Sequence, residues 1–463
     1  MSMAEGQAMR IDKPDKEPAY SAIATQLQAE IAAGIYAPGT ALPTQRDLAN
    51  QLGVNVSTIL RAYQELQARG LVTGRKRLGT IVAPLSFAPT DATEAVAELA
   101  DLTYNSPPVS DFIRAYALEL DRIDGDSRFK EVQNYSSASG SFWARAAGCQ
   151  WIAEGGLITT PERVVVTSGA QHALFSALAT FIKPGDVILT DRLTYFGLRA
   201  LAATLQFSLV CVDSDEDGIL PNSIEAICRS QRVTGLFVVP TLHNPTAKTL
   251  DAERRQQIAT LARTFDFIVV EDDVYSLLAD NGLKPISALC PERAFYITTT
   301  SKALAPSLCL GYLVAPAEHV GVAAESARLT GSMATPVSAL VMTRWVEDGT
   351  ARKLLDANRR EINLRQMMVD EVFNGLDYRS APYSMFLWLR LPEPWRAIDF
   401  AAGCRRRGVK LLPSPDFAAD NKEIEQGVRI NISGTIGIDR LRQALETLRQ
   451  LCEDRPRAVH GTV

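Results

Sequence analysis

The chain has 463 residues, of which 46% are hydrophobic and 22% charged, and its formal net charge is −5. These proportions are ordinary for a globular chain that buries a large core. The polar N-terminus has no apolar signal region, and no apolar run is long enough to span a bilayer, so neither secretion nor membrane insertion is indicated and we expect a cytoplasmic protein.

Cysteine and histidine patterns argue against a disulfide framework and a metal site. The seven scattered cysteines are odd in number and include no CxxC pair, which favours reduced thiols. The four histidines lack metal-ligand spacing, so we expect no metal.

Charge is unevenly distributed along the chain. Residues 1–84 hold nine Lys/Arg and seven Asp/Glu, a net of +2, which leaves −7 for the remainder of the total of −5. The N-terminal piece is therefore the only candidate for an anionic partner.

The first eighty residues predict three short helices. A first helix begins near Tyr20, with Ile23, Leu27 and Ile31 at four-residue steps and Gly34 as its cap. In "ALPTQRDLANQLG", Pro43 and Thr44 signal the start of a second helix and Gly53 its end. A third helix has Ser57 or Asn55 as its cap, and its apolar face is formed by Ile59, Ala62, Tyr63 and Leu66.

A basic hairpin follows the third helix. The stretch "GLVTGRKRLGTIVAP" has apolar ends around a basic, glycine-containing tip, which predicts a two-stranded wing. Three short helices and such a wing form a winged helix-turn-helix, whose third helix enters the major groove of DNA.

These residues resemble the GntR family of bacterial regulators, most closely in "GIYAPGTALPTQRDLANQLGV". The resemblance implies that Arg46 contacts a phosphate or base. It also implies a recognition helix and a wing whose DNA-facing residues are Ser57, Thr58, Arg61, Arg75, Lys76, Arg77 and Thr80. Val56 stands where the family usually has an arginine, and a solvated helix face is the alternative role for Arg61.

The domain organisation predicted from these patterns has three parts. Residues 1–83 form the winged helix-turn-helix, residues 84–105 a linker rich in proline and small polar residues, and residues 106–463 a large domain with two subdomains. In the large domain, short apolar runs alternate with helical stretches, which predicts a parallel or mixed α/β sheet covered on both faces. The runs are "RVVVTSG", "DVILTD", "SLVCVD", "GLFVVP", "FIVVEDD" and "FYITTT".

Polar residues that follow these strands carry the candidate chemistry. Ser168, Gly169 and Ala170 form a strand-to-helix turn suited to a phosphate. Asn244 precedes a proline, and Asp272 ends a strand with Tyr275 three residues on. In "TTTSKALAPSLCLGYLVAP", a single lysine, Lys302, follows a strand; taken alone, each of these residues could be a surface or capping residue.

In combination the motifs resemble fold-type I pyridoxal 5'-phosphate (PLP) enzymes over residues 100–455. The resemblance implies that Lys302 forms the Schiff base with the cofactor and that Asp272 pairs with the pyridine nitrogen. It implies that Arg429 grips a ligand carboxylate. The other cofactor contacts that it implies are Asn244 and Tyr275 to the phenolic oxygen, Tyr195 stacked on the ring, Ser168, Gly169, Ala170 and Thr299 around the phosphate, and Tyr135 reaching the phosphate from a partner subunit.

Two positions depart from that pattern. Ala247 replaces the usual glycine after Asn-Pro-Thr. Cys309 stands where an arginine usually pairs with the phosphate, which predicts a weaker hold on the cofactor unless another basic residue such as Arg145 compensates.

A GntR-type winged helix joined to a fold-type I aminotransferase-like domain is typical of the MocR group of bacterial regulators. The resemblance implies a homodimer that binds operator DNA and senses PLP, or an amine or amino acid through it. A working aminotransferase with a DNA-binding appendage and a regulator that has lost the cofactor are the alternatives.

Overall fold

The computed structural model describes residues 19–32, 36, 40–68, 71–75, 79–82, 100–279, 282–420, 422 and 424–454. The chain divides into two compact units, Met1–Ala97 and Glu98–Val463. Within the described ranges, no helix has the length and apolar character needed to cross a membrane.

The described residues of the first unit form three helices and one hairpin: α1 (Ala19–Ala32), α2 (Gln45–Leu52), α3 (Val56–Ala68), β1 (Val72–Arg75) and β2 (Gly79–Val82). The second helix has the predicted bounds, because the Thr44 side chain accepts a hydrogen bond from Asp47 N and Gly53 ends the helix with a left-handed φ of 64°. Gly34, the expected cap of the first helix, lies outside the described residues.

A small apolar core holds these elements together. All four predicted face residues of α3, including Tyr63, are buried in it with Leu48 and Val72. The Tyr63 hydroxyl donates to the Pro43 carbonyl at 2.7 Å, which ties α3 to the turn before α2. The hairpin is antiparallel, from Val72 opposite Val82 to Arg75 opposite Gly79. The unit is therefore the expected winged helix-turn-helix.

The second unit is an α/β structure. Its helices are α4 (Ser110–Leu120), α5 (Phe142–Ala153), α6 (Ala170–Phe181), α7 (Phe196–Leu205), α8 (Pro221–Ser230), α9 (Ala252–Phe265), α10 (Ser276–Ala279), α11 (Ile286–Leu289), α12 (Thr300–Ala303), α13 (Val320–Gly331), α14 (Pro336–Glu347), α15 (Thr350–Val372), α16 (Ala397–Arg406) and α17 (Ile438–Glu453). Its strands are β3 (Ala100–Asp101), β4 (Val164–Thr167), β5 (Val187–Asp191), β6 (Ser208–Val212), β7 (Ser214–Asp215), β8 (Gly218–Ile219), β9 (Gly235–Val238), β10 (Ile268–Asp272), β11 (Ala294–Thr299), β12 (Gly311–Val314), β13 (Tyr378–Arg379), β14 (Phe386–Arg390), β15 (Val409–Lys410), β16 (Leu412–Pro413) and β17 (Gly427–Asn431).

A seven-stranded sheet forms the centre of this unit, in the order β4-β12-β11-β10-β9-β5-β6. All six predicted apolar runs are strands of it, and β12 alone is antiparallel to its neighbours. Gly311 in β12 has to be a glycine, because a Cβ there would lie 2.6 Å from the main chain of Gly169. The expected fold-type I architecture is confirmed.

The C-terminal part adds a four-stranded sheet, in the order β13-β14-β17-β16, with a core of its own. Near it, β15 pairs in parallel with β3.

The pairing of β3 corrects the end of the predicted linker. Residues 100–105 belong to the second unit, because Ala100 N and Leu102 N donate to the carbonyls of Gly408 and Lys410, both at 2.8 Å, and Leu102 is fully buried. Their partner strand lies some three hundred residues away in sequence, so no local pattern marked this segment as a strand. The rest of the expected linker, residues 84–99, lies outside the described residues.

Candidate functional site: a cofactor and ligand cavity

The candidate residues lie where strands of the central sheet end. Asp272 ends β10, Lys302 follows β11 in α12, and Tyr195 follows β5. Asn244 comes after β9, and Ala170 begins the helix after β4. Because these strands run in the same direction, their carboxyl ends share one edge of the sheet, where α/β folds bind ligands.

A cavity of about 170 Å³ opens at this edge. Seven predicted site residues line it: Ala170, Tyr195, Asn244, Asp272, Tyr275, Lys302 and Arg429. The structure thus brings together residues that are up to 259 positions apart in sequence.

Asp272 is buried in the wall of this cavity. Its Oδ1 has no hydrogen-bond partner among the described residues. The pKa of its carboxyl is raised to about 7, chiefly by burial and then by the nearby Asp273, while Lys302 opposes the shift. A buried carboxylate oxygen without a donor fits a group that brings a protonated nitrogen, such as a pyridinium.

Lys302 is the amine of the site. Its Nζ donates to the Asn105 carbonyl at 2.7 Å. The pKa of the amine is lowered to about 8, chiefly by burial and then by the nearby Arg429, while Asp272 opposes the shift. A larger fraction of this amine is neutral near pH 7 than for an exposed lysine, as a nucleophile for an aldehyde requires.

Arg429, in β17, is buried beside the cavity, and its two terminal nitrogens donate hydrogen bonds. One guanidinium nitrogen donates to Asn244 Oδ1 at 2.8 Å and another to the Thr103 carbonyl, while Nε has no partner among the described residues. The rings of Phe417 and Phe386 lie 5.1 and 6.0 Å from the guanidinium carbon. Burial lowers the pKa of Arg429 to about 10, so it remains a cation at neutral pH.

Two tyrosines complete the cavity wall. The Tyr275 hydroxyl accepts a hydrogen bond from Asn105 Nδ2 at 2.9 Å, so its own proton is available to another acceptor. Its ring packs against Phe386 with centroids 5.3 Å apart. Tyr195 caps the start of α7, and burial, then Asp272, raises the pKa of its phenol.

The predicted phosphate turn has the expected backbone. Gly169 adopts a φ of 85° before α6, a conformation that favours glycine. Ser168 N donates to His172 Nδ1 at 3.1 Å, so this amide already has an acceptor. The backbone amides from Gly169 onward lie at the start of α6, and helix N-termini are favourable places for a phosphate.

Three other predicted cofactor contacts do not line the cavity, although they are close to its elements. Ser168 and Gly169 lie in the turn just described. Thr299 is buried, donates its hydroxyl proton to the Leu310 carbonyl at 2.8 Å and caps α12 by accepting from Ser301 N. Its hydroxyl proton is therefore used within the chain, and a hydrogen bond from Thr299 to a phosphate requires this hydroxyl to rotate.

Cys309 lies beside the phosphate turn. Its Sγ is 3.8 Å from the Ser168 carbonyl oxygen, and its side chain is exposed. Arg145, the alternative partner for the phosphate, donates instead to the carbonyls of Gly140 and Pro161 at 3.2 and 2.6 Å. Ala247, the other departure, adopts a φ of 56°, which explains why glycine is usual there.

Tyr135 does not join the cavity within one chain. It is 88% exposed and lies in a separate cleft with Trp143 and Pro336.

Several cavity residues were missed by the sequence analysis: Thr103, Tyr104, Asn105, Gln171 and Phe196. Gln171 and Phe196 each adjoin a predicted residue, which was a usable signal. Thr103 to Asn105 had none, because they fell in the expected linker.

In the first unit, the predicted DNA-facing residues that the structure describes lie on the expected elements. Arg46 is exposed in α2, and Ser57 and Arg61 are exposed one turn apart on α3. Thr58 is half-buried in α3, and Thr80 is half-buried in β2. The Arg75 side chain and all of Lys76 and Arg77 lie outside the described residues.

Family models match both units. The model of bacterial regulatory proteins of the gntR family matches residues 19–82, and that of class I and II aminotransferases matches residues 97–448.

Several known proteins are similar to most of this chain. YdeF of Bacillus subtilis (strain 168), an uncharacterized HTH-type transcriptional regulator, is 30% identical over 453 residues, which is 96% of each chain. PdxR of Corynebacterium glutamicum, an HTH-type pyridoxine biosynthesis transcriptional regulator, is 27% identical over 361 residues, covering 76% of this chain and 78% of PdxR. The fold of the second unit is similar to kynurenine aminotransferase of Pyrococcus horikoshii, with a TM-score of 0.70 and 21% identity, covering 77% of this chain and 91% of that chain.

Fold and site together define a DNA-binding winged helix-turn-helix joined to an aminotransferase-like unit. The chain belongs to the class I and II aminotransferase family through its second unit and to the GntR family through its first, the combination that characterises the MocR-type subgroup. The cofactor that its residue set fits is PLP.

Proposed function

We propose that the protein is a DNA-binding transcription regulator that holds PLP at Lys302 and senses PLP, or an amino acid or amine through it. The observation that carries the proposal is the convergence of Lys302, Asp272 and Arg429 on one cavity, in a chain whose other unit is a GntR-type winged helix. The PdxR relative, named as a regulator of pyridoxine biosynthesis, supports PLP as the compound sensed.

Each residue would contact a different part of the cofactor. PLP supplies an aldehyde and an electron-withdrawing ring. Lys302 offers the amine, Asp272 would hold the proton on the ring nitrogen, and Tyr275 has a hydroxyl proton to donate to the phenolic oxygen. The remaining cofactor contacts are assigned to Asn244, Tyr195, Ser168, Gly169, Ala170 and Thr299, and the ligand carboxylate is assigned to Arg429.

The partners would be operator DNA, a small effector and a second copy of the chain. The exposed Arg46, Ser57 and Arg61 support DNA contact by α2 and α3. Arg75, Lys76, Arg77, Thr58 and Thr80 are assigned to the same surface. The 88% exposure of Tyr135 supports its assignment to the partner's cofactor site in a homodimer. Such a regulator works in the cytoplasm, where its operator is.

A second candidate function is aminotransferase activity. The presence of Lys302, Asp272 and Arg429 in one cavity favours it, since the same set would serve catalysis.

One experiment tests both functions. A DNA site is first selected from a random pool by the full-length protein; its affinity is then measured while PLP and a set of amino acids are titrated and visible cofactor absorbance is recorded. The regulator proposal expects PLP or an amino acid to change DNA affinity. Ligand-independent DNA affinity together with rapid, multiple-turnover keto-acid formation would overturn it in favour of the enzyme.

A further inference from the structure

Asn105 makes three polar contacts in the cavity wall. Its Nδ2 donates to the Tyr275 hydroxyl at 2.9 Å, its Oδ1 accepts from Asn431 Nδ2 at 3.3 Å, and its carbonyl accepts from Lys302 Nζ at 2.7 Å. The contact with Asn431 fixes the orientation of the amide, so that its nitrogen faces Tyr275. Because the amide donates to the tyrosine oxygen, the tyrosine proton points elsewhere.

Thr103 contacts Arg429 as Asn105 contacts Lys302, through its main-chain carbonyl. Its carbonyl accepts a hydrogen bond from the Arg429 guanidinium. One short segment, residues 103–105, therefore satisfies both positive groups of the cavity with its main-chain carbonyls.

The same segment closely follows β3, the strand at which the chain enters the second unit. Leu102 N donates to Lys410 O at 2.8 Å and Leu102 O accepts from Asn431 N at 2.9 Å, which anchors the strand immediately before the cavity. N-terminal to it, the chain continues through residues 83–99 to the DNA-binding unit. A change in residues 103–105 thus reaches the linker through Leu102 and β3, the strand that the linker leads into.

We propose that Asn105 is a positioning residue that orients the Tyr275 hydroxyl, and that segment 103–105 competes with a ligand carboxylate for Arg429 and so reports ligand binding to the linker. This inference rests on the proposed function, because it assigns the regulation of the same site.

The competition follows from donor geometry. A guanidinium binds a carboxylate best through two parallel N–H donors, and two of the Arg429 nitrogens already donate to Thr103 and Asn244. The two donor pairs that a guanidinium offers, Nε with Nη2 and Nη1 with Nη2, both include Nη2, which is the nitrogen that donates to Thr103. A carboxylate bound through either pair therefore competes with the Thr103 carbonyl for Nη2. Linking the Lys302 amine to a cofactor likewise removes ammonium donors from the Asn105 carbonyl. Both carbonyls then lose their charged partners, and the segment loses two of the contacts that hold it in place.

The positioning role is tested with Asn105→Asp and Asn105→Ala in the full-length protein. Aspartate has the same shape but no Nδ2 donor, so both variants are expected to bind PLP about fivefold more weakly, as for the loss of one hydrogen bond. Asn222→Asp, at an exposed asparagine of α8, is the matched control. Circular dichroism establishes that each variant is folded. Wild-type PLP affinity in a folded Asn105→Asp variant would overturn the positioning role.

The competition is tested by hydrogen exchange of the peptide covering residues 100–106 in the full-length wild type. The protein is saturated with N-(5'-phosphopyridoxyl)-L-alanine or with N-(5'-phosphopyridoxyl)-ethylamine, which differ only by the carboxylate. We expect exchange of the Leu102 and Thr103 amides to be roughly tenfold faster with the alanine conjugate, since a charged hydrogen bond is lost, and DNA affinity to change with that conjugate alone. Equal exchange with both conjugates would overturn the inference while leaving the proposed function intact. Failure of either conjugate to bind would overturn the proposed cofactor site, and this inference with it.

Discussion

The guanidinium of Arg429 donates to Asn244 Oδ1 at 2.8 Å, which links the residue assigned to a ligand carboxylate with a residue assigned to the cofactor. The two side chains come from different sheets, since Arg429 lies in β17 and Asn244 follows β9 of the central sheet. One hydrogen bond therefore couples the residue proposed for the ligand to a residue proposed for the cofactor.

In an Arg429→Lys variant, amino acids should no longer change the DNA affinity, whereas PLP should still change it. Lysine keeps the positive charge but cannot bind a carboxylate through two parallel donors. A lost charged hydrogen bond costs about 1.5–3 kcal/mol, or roughly ten- to a hundredfold in affinity. Amino-acid titration of DNA affinity measures the change. Arg442→Lys, in an exposed ion pair with Glu371, is the control and should respond normally. An unchanged midpoint for Arg429→Lys would remove Arg429 from the ligand site.

Lys302→Ala should abolish the visible cofactor absorbance and the ligand response but leave binding to DNA measurable. The reason is that Lys302 supplies the only lysine amine in the described lining of the cavity, whereas the DNA-facing residues belong to the other unit. Absorbance spectroscopy and gel-shift titration make the two measurements. A full ligand response without the lysine would show that sensing bypasses it.

Arg46→Ala should weaken operator binding without unfolding the protein. Arg46 is exposed and no hydrogen bond from its side chain holds the described part of the first unit together, so the loss falls on phosphate or base contacts. One phosphate contact fewer should also reduce the slope of log affinity against log salt by about 0.9. Gel-shift titrations at several salt concentrations test this, with the exposed Arg232→Ala of the second unit as control. An unchanged affinity and slope would place Arg46 outside the interface.

Cys309→Arg should tighten PLP binding and blunt its regulation. Cys309 Sγ lies 3.8 Å from the Ser168 carbonyl, so an arginine at this position starts beside the phosphate turn, and Arg145 is engaged by two other carbonyls. One added charged hydrogen bond is worth roughly 1.5–3 kcal/mol, about ten- to a hundredfold in affinity. Ser230→Arg adds the same charge at the end of α8 and serves as control. Equal PLP dissociation constants for wild type and Cys309→Arg would mean that the phosphate charge is already compensated.

The rate of PLP attachment should rise with pH. Attachment needs a neutral Lys302, whose pKa is about 8, and the ring nitrogen is best held by an ionised Asp272, whose pKa is about 7. Both requirements are met more fully as protons are lost, so the rate should increase from about pH 6 to about pH 9 and then level off. Stopped-flow absorbance measures this rate. Nα-acetyl-lysine is the comparison, because the reaction rate of an unperturbed lysine side chain levels off only above about pH 10. A profile for the protein that follows Nα-acetyl-lysine would contradict the lowered pKa of Lys302.

The sequence by itself predicted the two folds, and its motifs supplied the residues that we propose for the chemistry of the second unit. Apolar runs such as "RVVVTSG" predicted strands because burial on both faces of a sheet requires continuous apolar stretches, and Thr44 and Gly53 marked the ends of α2 because helix termini need specific caps. Lys302, Asp272 and Arg429 were recognisable because each stands in a motif a few residues long.

Only the tertiary structure decided how these motifs are completed. Asn105 and Thr103 reach Lys302 and Arg429 across 197 and 326 positions, through pairing of β3 with a strand near the other end of the chain. Pairing of β12 with β4 and β11 likewise places Cys309 next to Ser168. It also brings the Leu310 carbonyl to the Thr299 hydroxyl, which donates to it. Local patterns indicate whether neighbouring residues favour a helix or a strand and whether they are buried. Hydrogen bonds between distant segments form only once the sheet has brought those segments together.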